Sequence, residues 1–212
     1  MTDNIAVNEQ NSVRIKDSHG MIYIDPFRIT ENPNDAALIF ITHDHYDHFS
    51  PEDIARVAGD NTTLIVPEKM KNKAQKAAEL VSSVVTVSPG ESREINGLEF
   101  ETVPAYNHMK PFHPRSAGWV GYILNIEGRR IYVAGDTDAT QEAKEVKCDV
   151  ALVPVGGTYT MDAKKAAELV NIIRPGVAIP VHYGSVVGSP EDGTIFAENV
   201  SDAVKVELKI GF

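Results

Sequence analysis

Residues 42–50 read Thr-His-Asp-His-Tyr-Asp-His-Phe-Ser, and the six positions from His43 to His48 hold three imidazoles and two carboxylates. Neither solubility nor packing asks for metal-binding groups at that density. His43 and His45 flank Asp44. If the chain is still extended there, side chains two apart point the same way and can reach one cation. Asp47 and His48 are adjacent and follow the turn, so they suit a second cation beside the first. Imidazole with carboxylate is a donor set preferred by zinc, and it also suits manganese or iron.

The elements that must hold this loop lie on either side of it. Ala36-Ala37-Leu38-Ile39-Phe40-Ile41 reads as a buried strand. Ser50-Pro51-Glu52-Asp53 reads as a helix start, with Ser at the N-cap, Pro at the first helical position and acids in the first turn. Two further strands, 131–134 and 177–181, end in Asp136 and His182, and open α/β sheets tend to place their sites at such ends. The two oxygens of Asp136 could bridge two cations. Residues 104–115 offer His108 and His113, and the first cation still needs one ligand. His108, Lys110 and Arg115 form a basic group suited to a substrate phosphate or carboxylate. Asp25, Thr42 and Asp44 are candidate supports, because a ligating imidazole needs a partner for its other ring nitrogen.

With these residues in view, the chain resembles the metallo-β-lactamase fold superfamily of metal-dependent hydrolases. Within it, the chain looks like the small prokaryotic branch related to ascorbate-6-phosphate lactonases and N-acyl-phosphatidylethanolamine phospholipase D. The likeness spans nearly the whole chain. Met21-Ile22-Tyr23-Ile24-Asp25-Pro26 is similar to the family's first motif, and the run from 43 to 48 is its His-x-His-x-Asp-His signature. Gly135-Asp136-Thr137 resembles the bridging-aspartate motif, and Pro180-Val181-His182-Tyr183-Gly184 the last-histidine motif. Gly156-Gly157-Thr158-Tyr159-Thr160-Met161 is similar to a loop typical of this branch.

The resemblance implies a four-layer αββα sandwich of the α/β class, with two mixed β-sheets face to face and helices outside. It implies two divalent metal ions. His43, His45 and a later histidine hold the first, Asp47, His48 and His182 the second, and Asp136 bridges. His113, followed by Pro114 and the strand 119–124, matches the family context more closely than His108, and the choice between them stays open. Two ions about 3.5–4 Å apart can share a hydroxide at neutral pH and polarise the substrate oxygen. In that scheme Asp136 fixes the ion spacing, Asp47 orients the hydroxide, and Tyr183 or His108 assists the leaving group.

A chain of 212 residues suffices for one core, so a single domain over 1–212 is expected, with residues 1–11 frayed. Strands are expected at 62–66, 84–88, 148–155 and 204–210. Helices are expected at 68–80 and 162–173, with a last one opening at 189–192, and hairpins at Asn96-Gly97 and Glu127-Gly128. Two strand-rich halves with trailing helices suggest a pseudo-duplicated sandwich, although no sequence repeat is visible. The lone Cys148 allows no internal disulfide and suits packing. No apolar run approaches the roughly 18 residues of a membrane span, and no signal peptide is recognised, so a cytoplasmic protein is expected. A net charge of −10 makes nucleic acid and anionic membranes poor partners. A homo-oligomer is left open.

The leading expectation is a hydrolase of a small anionic substrate such as a sugar-phosphate lactone. A phosphodiesterase is second, because the ligands set the nucleophile and the pocket sets the bond. A non-catalytic metal-binding or iron redox module is third. Against it, His45 stands where flavodiiron-like proteins carry a carboxylate.

Overall fold

The computed structural model describes residues 2–211. Met1 and Phe212, the ends of the expected domain, lie outside the described residues. β1 (Ile5–Val7), β2 (Val13–Asp17) and β3 (Gly20–Ile24) form an antiparallel meander. β4 (Ala36–Phe40), β5 (Ala58–Pro67) and β6 (Ser83–Val87) add to it in parallel, giving a six-stranded mixed sheet in chain order. The second half repeats the plan. A meander of β7 (Ser92–Ile95), β8 (Leu98–Pro104), β9 (Val120–Ile126) and β10 (Arg129–Val133) is followed by parallel β11 (Val150–Pro154), β12 (Val177–Val181) and β13 (Lys205–Val206), a seven-stranded mixed sheet.

The period-two alternation of side chains decides which layer each strand residue joins. In β4, Leu38 and Phe40 face the other sheet, where the Phe40 ring meets Phe100 at 5.1 Å and Tyr122 at 5.0 Å. Ile39 and Ile41 face outward and pack with Ile54 and Val57 of α1 (Pro51–Val57). α4 (Ala163–Ile173) lays a stripe of Ala166, Ala167, Leu169, Val170 and Ile173 against the core of the second sheet. Burial of each larger residue there contributes roughly 1.5–3 kcal/mol. Asp162 caps this helix by accepting from the Lys165 N–H at 2.9 Å, as Ser50 caps α1 by accepting from Asp53 at 3.2 Å. With short α2 (Lys71–Ala74), α3 (Gln141–Lys144) and α5 (Asp192–Asn199), the result is a four-layer αββα sandwich.

The structure differs from the sequence expectations at three places. The stretch 2–11 is not frayed. Ile5 and Val7 are buried in an edge strand, and Gln10 and Asn11 are fully buried, the Gln10 carbonyl accepting from His182 N–H at 2.9 Å and Asn11 Nδ2 donating to Asp25. Residues 68–80 do not form one helix, because 3-10 turns at Glu68–Met70 and Gln75–Leu80 flank the single α-turn of α2. Lys69, Lys73 and Lys76 lie three and four apart, spacings at which like charges oppose an α-helix. Strand 204–210 shrinks to β13, and beyond it Glu207 N–H still reaches the Ala178 carbonyl at 3.0 Å. Cys148 is half-buried against the core, and burial pushes its thiol up to about 12, so it is unreactive packing.

Candidate metal centre

The 43–48 loop leaves β4 at the edge where the two sheets meet. It turns at His45, whose carbonyl accepts from His48 N–H at 3.1 Å and Phe49 N–H at 2.8 Å. That turn sends His43 and His45 to one side and Asp47 and His48 to the other. Residues from both halves complete two clusters. In the first, ligand atoms of His43, His45, His113 and Asp136 lie within 4.8 Å of one another, and in the second so do those of Asp47, His48 and His182. Asp136 stands between them. Its Oδ2 is 3.3 Å from His113 Nε2 and 3.9 Å from His43 Nε2, while its Oδ1 is 3.2 Å from His182 Nε2 and 3.5 Å from His48 Nε2. Asp47 Oδ2 lies 3.4 Å from His182 Nε2 and 3.6 Å from His48 Nε2.

The arrangement fits cations. His48 and His182 point their Nε2 atoms at each other at 3.1 Å inside a buried pocket. His113 Nε2 and Asp136 Oδ1 are buried without a hydrogen-bond partner. Imidazole nitrogens and carboxylate oxygens thus converge in a buried space, and a divalent ion there would be bonded by each of them. Burial alone would raise the Asp136 carboxyl, but His182 and His48 hold it well below the ordinary carboxylate range. Burial would likewise raise Asp47, which His182 and His48 lower. Burial, with His48 nearby, keeps His43 well below the ordinary imidazole value, and burial and His113 lower His45. Burial would lower His48 too, yet Asp136 and Asp25 hold it up at about 9.

A buried network orients these rings. Asp25 Oδ2 takes His48 Nδ1 at 2.7 Å, the Thr42 hydroxyl at 2.6 Å and Asn11 Nδ2 at 2.7 Å, while Oδ1 accepts from Thr42 N–H at 2.8 Å. Thr42 Oγ1 also lies 3.0 Å from His43 Nδ1. Asn107 Oδ1 is 2.9 Å from His113 Nδ1, which leaves His113 Nε2 for the cluster. Asp25 and His182 both adopt left-handed backbone, φ 46° and 60°, at the ends of β3 and β12. The Trp119 ring packs 5.0–5.3 Å from His43, His45 and His113.

Other sequence candidates lie elsewhere. His108 is exposed, rests on Tyr106 and stays outside both clusters, so His113 is the later histidine that joins. Lys110 Nζ donates to the Gly157 carbonyl at 2.8 Å and to the Thr160 carbonyl, and Arg115 pairs with Glu142 at 2.6 Å. The expected basic group is therefore not assembled at the clusters. Asp44 supports no imidazole: its carboxylate and carbonyl hold Lys73, with the carboxylate at 3.2 Å. The Tyr183 hydroxyl is buried against α5, where a Cβ on Gly193 would sit 2.5 Å from it, so it is not placed to protonate a leaving group. Sequence reading missed Asn11, Lys73, Asn107 and Trp119. Only Asn107 carried a signal, an amide six residues before His113 in the same candidate loop.

His45, Asp47, Asp136 and His182 open into a cleft of about 650 Å³, rimmed by Tyr46, Phe112, Tyr159 and Val186. A buried double His/Asp cluster at the shared edge of an αββα sandwich defines a class of metal-site protein. Residues 4–182 match the β-lactamase superfamily domain, and the chain belongs to that family. It is 32% identical to a protein of Methanopyrus kandleri described as a UPF0173 metal-dependent hydrolase, over 89% of this chain and 88% of that one. A crystal structure from Parabacteroides distasonis superposes with TM-score 0.81 at 29% identity, covering 97% of this chain and 91% of the other. The metallo hydrolase Igni18 from Ignicoccus hospitalis shares the fold, with TM-score 0.76 at 21% identity over 96% and 93% of the two chains. Among the described residues no helix is long and apolar enough to cross a membrane.

Proposed function

We propose that this protein is a hydrolase working with two divalent cations, zinc being the ion its donors favour. His43, His45 and His113 would hold one, Asp47, His48 and His182 the other, with Asp136 shared through its two oxygens. One observation carries the reading: the buried Nε2 atoms of His48 and His182 face each other at 3.1 Å beside an Asp136 Oδ1 that has no hydrogen-bond partner. Bound there, the ions would supply Lewis acidity and a water ionised near neutral pH. Asp136, clamped among four imidazoles, sets the separation of the two clusters. Asp47, at the cleft floor, is the carboxylate placed to orient a water and take its proton. The name carried by the relatives, metal-dependent hydrolase, agrees with this reading.

For the scissile bond we favour a lactone or ester carbonyl. The cleft is rimmed by Tyr46, Phe112, Tyr159 and Val186, and Lys73, which lines it, is paired with Asp44, so it offers no side-chain cation for a second charged group. The same reasoning leaves the sugar-phosphate form of the lactone without a phosphate seat. The phosphodiesterase stays as the second reading because the metal pair serves both bonds. The test is turnover of a simple lactone beside a generic phosphodiester by zinc-loaded protein, with Asp136→Ala as the blank. Zinc-dependent lactone opening lost in the variant is expected. Preferential phosphodiester cleavage would move the assignment, and equal activity in the variant would end the two-cation scheme.

A further inference from the structure

The cleft above the clusters is bordered by rings rather than by charge. Tyr46 is 66% exposed, and Phe112, of a residue type that normally buries, is 43% exposed. Phe112 and Tyr159 meet edge-to-face, centroids 4.7 Å apart at 84°, and form one wall with an open ring face. Their loops are braced against each other. Asn107 Nδ2 donates to the Tyr159 carbonyl at 3.0 Å, and Lys110 Nζ to the Gly157 carbonyl at 2.8 Å and to that of Thr160. The ring pair is thus held in place before any ligand arrives. Tyr46 stands opposite, its edge on Phe27 at 6.0 Å, and Val186 adds an aliphatic patch. The charges that line the cleft are mostly acidic: Asp44, Asp47 and Asp136, with Lys73 tied to Asp44. Around it Lys110, Arg115 and Arg28 pair with Asp138, Glu142 and Glu9.

We infer that the site is built for an uncharged acyl compound, an ester or lactone carrying an aryl or alkyl group, with Phe112, Tyr159 and Tyr46 as the specificity-determining residues. This rests on the hydrolase reading above and adds the substrate class to it. A rigid apolar wall rewards burial of an apolar substituent, whereas a charged substituent laid against Phe112 and Tyr159 would lose water there, and Lys73, which lines the cleft, is already paired with Asp44.

The test uses the zinc-loaded full chain and three metal-chelating probes: acetohydroxamate, benzohydroxamate and 4-carboxybenzohydroxamate. Binding is read from the fluorescence of Trp119, the chain's one tryptophan, which packs on three of the cluster histidines. Benzohydroxamate should bind at least about tenfold tighter than acetohydroxamate, the size of effect expected when one ring face is buried. The carboxylated probe should bind no tighter than benzohydroxamate. The double variant Phe112→Ala/Tyr159→Ala should cut the advantage of benzohydroxamate over acetohydroxamate to below about threefold. Equal binding of the first two probes, or preference for the carboxylated one, would overturn the substrate class while the metal site stood. Zinc-loaded protein that bound none of the three would overturn the open metal site, and this inference with it.

Discussion

Asp25→Asn is the most informative single change, because Asp25 is where both halves of the argument about the site meet. Four donors converge on its carboxylate: the Thr42 N–H on Oδ1, and the Thr42 hydroxyl, Asn11 Nδ2 and His48 Nδ1 on Oδ2. An asparagine has the same shape and tolerates the left-handed backbone found here, φ 46°. The substitution therefore tests hydrogen bonding rather than backbone strain. Its amide offers one acceptor oxygen, so whichever way it turns, its NH₂ faces a donor. The Thr42 hydroxyl can rotate away, but its N–H, the Asn11 amide and His48 Nδ1 cannot all be satisfied. One or two buried donors left unpaired cost about 1–3 kcal/mol each, giving about 1–6 kcal/mol in total. Losing the carboxylate behind a ligating imidazole should also weaken metal binding about 10- to 100-fold. Urea unfolding of the chelator-treated protein measures the first quantity. Competition for zinc against a chromophoric chelator measures the second. A variant within about 1 kcal/mol of the parent that also held zinc within about threefold would refute the role given to this network.

Further outcomes follow from other parts of the chain. Ile5→Ala should destabilise by about 2 kcal/mol or more in urea unfolding, because Ile5 is 3% exposed within the core; a frayed terminus would show no change. Gly156→Ala should weaken zinc binding more than about tenfold in the same competition assay, since the new Cβ would lie 2.3 Å from the His182 carbonyl oxygen and must displace that ligand. Glu207→Gln probes the terminal edge. Lys205 and Thr2 hold the Glu207 carboxyl down at about 2, below its ordinary 4.5. Stabilisation from a depressed carboxyl is present above about pH 4.5 and lost as pH falls through about 2, so parent and variant should differ by a constant ~1 kcal/mol or less from pH 5 to 8 and converge near pH 2. Chelator treatment should abolish hydrolysis reversibly, with activity returning on addition of zinc in proportion to metal content measured by mass spectrometry.

Much of the site was readable because its densest part is local. The 43–48 run, the strand before it and the Ser50 cap lie within a dozen or so residues, and their patterns survive without tertiary context. The hairpins at Asn96-Gly97 and Glu127-Gly128 were readable for the same reason. The rest depends on distance. Asn11 reaches Asp25 across the first sheet, and a polar stretch such as Asn8-Glu9-Gln10-Asn11-Ser12 looks solvated until a buried acceptor is found for it. Lys73 meets Asp44 across 29 residues of chain, a contact no local pattern announces. The basic group at 108–115 failed for a further reason. Adjacency in sequence does not fix where a long side chain ends, and Lys110 and Arg115 end on Asp138 and Glu142.

The duplicated topology explains why the ligands converge. In each half the last meander strand, β3 or β10, starts the parallel run, and in each half an aspartate follows its end, Asp25 after β3 and Asp136 after β10. Parallel strands bring their C-terminal ends to one edge. Facing the two sheets across a common core therefore brings the loop after β4 opposite the loops after β10 and β12. The first half's aspartate is walled in by Thr42, Asn11 and His48 and became an orienting group. The second half's aspartate stands among four imidazoles with one oxygen that has no hydrogen-bond partner and is the group left to bind. The two carboxylates differ in what surrounds them, not in where the fold puts them. Exchanging their surroundings, rather than their identities, is what would exchange their roles.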